Sequence, residues 1–185
     1  TTGNSGANST AADVIMANAG AANLGSDTIT GFESGEDKYH ILAADTGDGT
    51  VNGDGDGSAV FSNGAISLAA QGANYALSTL ASTIANDVIE LVGGNTSNAD
   101  LSAETDGTEL LKLVAVTGST VASMAATTGV NGGGEGTGDT VYVIAYDAGN
   151  AYLYHFANDD DEDQKFQSDE ISLVATFEGI SNGGL

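Results

Sequence analysis

Residues 155–171, HFANDDDEDQKFQSDEI, put seven carboxylates into the twelve positions 159–170, with one lysine among them. Two chemistries suit such a run: a solvated acidic turn, or a loop whose carboxylates converge on a hard cation. Calcium takes ~6–8 oxygen ligands, and a loop of about twelve residues supplies them from its alternate positions and its last one, with a backbone carbonyl in the middle. Counted from Asp159, that spacing selects Asp159, Asp161, Asp163, the Lys165 carbonyl, Gln167 (directly or through water) and Glu170. Phe166 falls where such loops carry an apolar residue that docks into the core. Gln164 departs from the pattern, because a sharp turn at its position favours glycine. The expectation is a Ca2+ site in an EF-hand-like loop, with Asp160, Glu162 and Asp169 as bystanders.

A second acidic loop, ADTGDGTVNGDGDG (44–57), begins the same pattern with Asn52, Asp54, Asp56 and Gly57. Its final position is Asn63, which lacks the bidentate carboxylate. Asp45 and Asp48 lie just upstream and would complete a different geometry. These five residues are weaker candidate ligands, weighed against a plain Gly/Asp surface loop.

Other catalytic chemistry has little to work with. The chain lacks cysteine and arginine, and His40 and His155 fall in no zinc-binding pattern of the H-E-x-x-H kind. Each histidine is expected to be surface-facing or hydrogen-bonded rather than a base. Acidic pairs leave room for a glycosidase-like carboxylate pair, yet the tryptophans that commonly line carbohydrate clefts are absent. NGGGEGTG (131–138) precedes a strand pattern instead of a helix, which argues against a phosphate-cradling loop.

The elements that must position the acidic loop are mostly strands. DTVYVIAYDAGNAYLYHFAN (139–158) reads as two strands around an Asp147-Ala148-Gly149-Asn150 turn, with Tyr152, Tyr154 and Phe156 on one sheet face. EISLVATFEGI supplies a strand after the loop, and NDVIELVGG (86–94) a buried one before it. TITGF and KYHIL read as short strands joined by a Ser34-Gly35 turn, and 59–68 as a strand or hairpin around Asn63-Gly64. Residues 72–86 are helix-compatible, and Asp106-Gly107-Thr108 opens a short helix over Glu109–Leu113. The fold class is therefore mainly β: an antiparallel β-sandwich or β-roll-like module with one or two short helices. A single domain over 1–185 is expected, with 131–138 the candidate sub-boundary and 1–12 a flexible or partner-pairing arm.

Composition narrows the partners. Against 26 acidic residues stand three lysines, a formal net charge of −23. Such a surface repels nucleic acid and anionic membranes, and no run approaches the ~20 apolar residues of a membrane span. A saline habitat and specific cation sites both account for the excess. The chain opens at Thr1 without a signal-peptide pattern, which suggests a processed piece of a longer protein.

SDTITGFESGEDKYHIL (26–42) resembles the segment that follows the calcium-binding nonapeptide repeats of RTX-type secreted proteins, including the C-terminal region of serralysin-like proteases. The recurring D-x-I-x-x-F maps onto Asp27, Ile29 and Phe32, and the following D-x-I-x-L onto Asp37, Tyr39 and Ile41, with Tyr39 in place of an aliphatic residue. GTELLKL (107–113) and 151–180 look like the terminal regions of large bacterial type I secreted and surface-layer-associated proteins. The nonapeptide repeat itself is not intact, and the protease chemistry has no matching zinc motif. The resemblance implies export through a type I channel and folding on meeting calcium, and adds Asp27 and Asp37 as weaker metal candidates. The combined expectation is a non-enzymatic, extracellular, calcium-binding assembly module of a bacterial surface protein, associating with itself or with other cell-surface or matrix components. The alternatives are the secretion domain of a larger exported enzyme and a hydrolase with an unrecognised carboxylate pair.

Overall fold

A computed structural model describes residues 14–18, 26–33, 37–42, 58–60, 66–69, 88–92, 99–103, 106–114, 122–123, 140–157 and 165–181. In chain order the strands are β1 (Val14–Asn18), β2 (Asp27–Ile29), β3 (Lys38–Leu42), β4 (Ser58–Val60), β5 (Ile66–Ala69), β6 (Val88–Val92), β7 (Ala122–Ser123), β8 (Thr140–Asp147), β9 (Asn150–Ala157), β10 (Lys165–Phe166) and β11 (Ile171–Phe177). The helix α1 spans Thr108–Val114, and 3-10 turns cover Leu101–Ala103 and Ser168–Glu170.

The β8–β9 hairpin is the centre. β-branched and aromatic residues favour the pleated surface, and the two strands pair from Thr140↔Ala157 to Asp147↔Asn150. A type I′ two-residue turn, whose twist matches that of the strands, needs φ > 0 at both central residues. Ala148 (φ 50) and Gly149 (φ 83) provide it. Glycine enters that region freely; alanine does so at some cost.

Around the hairpin, the described strands form a six-stranded sheet in the order β2-β11-β9-β8-β6-β5. The middle is antiparallel, β11 to β9 and β9 to β8. Both flanks are parallel: β2 on β11, β6 on β8 and β5 on β6. The fold is mainly β, as expected, but its large sheet is mixed, antiparallel at the centre and parallel at both flanks. Tyr142–Tyr146 and Ala151–Phe156 are buried without a break, so both faces are covered.

One face packs on α1. Leu110, Leu111, Leu113 and Val114 of the helix, with Leu101 of the preceding turn, meet Val143, Tyr154, Phe156 and their neighbours. Asp106 Oδ1 accepts the Thr108 N–H at 3.0 Å and so satisfies one of the open donors of the first turn. Gly107 is required by proximity: a Cβ there would stand 2.4 Å from Ile171 Cβ. The expected helix over Glu109–Leu113 is thus observed, one residue longer at each end.

The opposite face is covered by the segment from β2 to β3. Phe32 and Tyr39 meet the Phe177 ring edge-on, at 5.1 and 5.3 Å between centroids. Tyr39 belongs to β3, the middle strand of a three-stranded sheet β1-β3-β4. It brings the small sheet against the large one in the manner of a sandwich.

A bulge lets β11 serve both faces. Ile171 and Leu173 lie opposite Phe156 and Tyr154 on the helix side. The register then shifts between Leu173 and Ala175, so that Ala175 and Phe177 oppose Leu153 and Ala151 and join the other core. Side-chain direction alternates with period two, so one additional residue reverses the face of everything after it. The unbroken apolar run Leu173-Val174-Ala175 is the sequence trace of that change.

Two local expectations are corrected. β2 and β3 are not hairpin partners: β2 adds to β11, while β3 pairs with β1 and β4. Nor do β4 and β5 form a hairpin across Asn63-Gly64, since β4 joins β3 and β5 joins β6. Short strands carry too little side-chain information to fix partners, and the larger sheets recruit them separately. Val14, Ile15 and Met16 are part of β1, beside β3. The helix-compatible 72–86, the Gly-rich 131–138 and the arm 1–12 lie outside the described residues.

Candidate metal-binding loop and its surroundings

The acidic loop connects two central neighbours, β9 and β11. Asp159, Asp161 and Asp163 lie outside the described residues, as do Asn52, Asp54, Asp56, Asp45 and Asp48. The exit of the loop is described. Lys165, whose carbonyl is a candidate ligand, sits in β10 opposite Ser123 of β7, and Phe166 opposite Ala122. Gln167 then donates its backbone N–H to Glu170 Oε2 at 2.7 Å, while the Glu170 N–H reaches the Gln167 carbonyl at 3.2 Å. This reciprocal closure holds the 3-10 turn at the start of β11. The Gly107 N–H adds a bond to the Ser168 carbonyl at 3.3 Å, linking the turn to the base of α1.

Glu170 therefore has a structural role in the described chain. It is only 5% exposed, and burial of a carboxylate demands hydrogen-bond donors. A cation held by the loop would share this carboxylate with the Gln167 N–H. Gln167 itself is half-buried beside it. The two candidates at the end of the ligand spacing are thus positioned together on a short, tied turn, which is compatible with an oxygen-donor set for Ca2+.

The weaker candidates Asp27 and Asp37 are apart from that turn and have identifiable local roles. Asp37 Oδ2 accepts the Glu33 N–H at 2.8 Å, and the Asp37 N–H returns to the Glu33 carbonyl at 2.9 Å, closing the connection between β2 and β3. Asp27 is exposed at the start of β2. Burial first, and the negative charge of Asp27 second, hold the Tyr39 phenol above the usual tyrosine range. Among the described residues, no three or more His, Asp or Glu side chains are grouped so as to hold a metal.

Several other carboxylates accept backbone N–H groups around the Leu101–Ala103 turn. Glu109 Oε2 accepts from Asp100 at 2.9 Å, Asp147 Oδ2 from Leu101 at 3.2 Å and Asp100 Oδ1 from Ser102 at 3.2 Å. Lys112 forms an ion pair with Glu109 at 2.5 Å. The hydrogen bond from Lys112, with the Asp100 N–H next, keeps the Glu109 carboxyl below its ordinary range. Part of the acidity is therefore spent on holding a turn.

His40 lies in β3, and its side chain is outside the described set. His155 corrects the surface-facing alternative of its expectation. It is 5% exposed in the middle of the sheet, its ring 4.9 Å from that of Tyr142, which lies opposite it on β8. Nε2 has no hydrogen-bond partner among the described residues. Burial pushes its pKa down to about 4, since an imidazolium there would lose its hydration. The ring stays neutral at pH 7.

One buried polar pair escaped the sequence reading. Glu90, 6% exposed in β6, accepts a hydrogen bond at Oε1 from the Tyr146 hydroxyl of β8. The available signal was a single glutamate inside VIELV, an otherwise apolar strand. No sequence spacing identifies the tyrosine that meets it, because the pairing of β6 with β8 depends on the parallel register Glu90↔Ile144.

Comparisons with protein-family models, with curated proteins and with solved structures find no match for this chain.

Proposed function

We propose that the chain is a non-enzymatic, calcium-binding structural module of a secreted bacterial surface protein. The observation that carries this reading is the run of seven carboxylates over 159–170, four of which (Asp159, Asp161, Asp163 and Glu170) fall at oxygen-ligand spacing. Its placement supports the reading: the loop leaves one central strand, β9, and returns through β11. A cation held by Asp159, Asp161, Asp163, the Lys165 carbonyl, Gln167 and Glu170 would fix the connection between those two strands. It would also relieve the mutual repulsion of a chain with a net charge of −23. Extracellular calcium would supply that cation, and association with further copies or with cell-surface and matrix components would follow from the rigidified module.

Thermal unfolding with calcium and with chelator, accompanied by light scattering, tests the proposal. A ligand bound only by the native state at 100 times its Kd stabilises by about 2.7 kcal/mol. For a chain of this size that is a rise in Tm of roughly 5–10 °C. Replacing Asp159, Asp161 and Asp163 together with asparagine should abolish the rise. Identical melting in calcium and chelator sinks the calcium site, whereas a calcium-dependent melt without growth of particles sinks assembly alone.

A further inference from the structure

We draw no further inference here: the strongest candidate, the buried His155–Tyr142 pair on the face of the six-stranded sheet away from α1, carries only the low basicity that burial gives one imidazole, and nothing in the structure shows a ligand or partner that would meet it.

Discussion

On its helix side the six-stranded sheet buries Ile89, Leu91, Val143, Tyr154 and Phe156 against the leucines of α1. On the other side the same strands place Glu90, Tyr142, Tyr146 and His155 among Ile144, Leu153, Val174 and Phe177. The first surface is mainly aliphatic and aromatic burial, with Tyr152 and Tyr154 as its tyrosines. The second adds groups whose contribution depends on protonation and hydrogen-bond geometry. A sheet covered on both faces thus has one core that should be insensitive to pH and another that should respond to it.

The largest expected effect tests whether both surfaces are cores at all. Phe156→Ala on the helix side and Phe177→Ala on the other each remove a side chain that is at most 1% exposed. Each should cost about 3–5 kcal/mol in urea unfolding. A loss below about 1 kcal/mol at Phe177 would mean that the β2–β3 cover contributes little, and the comparison would collapse to a single core.

Acid should separate the faces next. His155 has an unfolded reference value of 6.5 and is pushed down to about 4 by burial. Above pH 6.5 it is neutral in both states and contributes no pH dependence. Between the two values the unfolded chain binds a proton that the folded chain does not, so stability falls as pH falls. The accumulated loss is about 3 kcal/mol by pH 4 and levels off below that, as the folded ring takes up the proton too. His155→Leu should remove this share. The difference in unfolding free energy between variant and parent should then grow in the variant's favour from pH 6.5 to 4. A constant difference across that range would place the imidazole in contact with water or an acid.

A smaller loss is expected from Tyr146→Phe, which keeps the ring and deletes the hydroxyl that donates to buried Glu90. Leaving a buried acceptor short of a donor costs about 1–3 kcal/mol. Glu90→Gln in the same background should return part of it, since an amide is cheaper to bury than a carboxylate. Additive costs from the two changes in urea unfolding would break the link between these residues.

Much of the helix face was legible in the sequence, and its clearest signals were periodic. Tyr152, Tyr154 and Phe156 share one core, as their even spacing requires, and Asp106-Gly107-Thr108 does open a helix. Asp147 to Asn150 closes the central hairpin where expected. The other face was less legible because non-local pairing builds it. β2 crosses to β11, and the bulge at Leu173/Ala175 reverses which residues point that way. His155 illustrates the difficulty: alternation puts it opposite the Tyr154 face, but only two-sided burial makes it a core residue. For the candidate loop, spacing named Gln167 and Glu170, and the structure adds the turn that ties them together. The competing job of Glu170 as a cap was not visible, since the same carboxylate satisfies either pattern.

The smallest effect belongs to the surface of the helix layer, where charge is plentiful but exposed. The Lys112 side chain is 48% exposed in its pair with Glu109, so water screens the attraction. Lys112→Ala should cost only about 0.3–0.5 kcal/mol, and less in high salt. Glu109 has a second role, because its Oε2 also accepts the Asp100 N–H that anchors the Leu101–Ala103 turn. Glu109→Gln retains an acceptor oxygen and should resemble the lysine variant, whereas Glu109→Ala removes the anchor and should cost about 1 kcal/mol. If Lys112→Ala instead cost as much as Tyr146→Phe, the helix side would depend on charge as strongly as its opposite. The contrast between a core without buried titrating His or Glu and one with His155 and Glu90 would then fail at its least buried point.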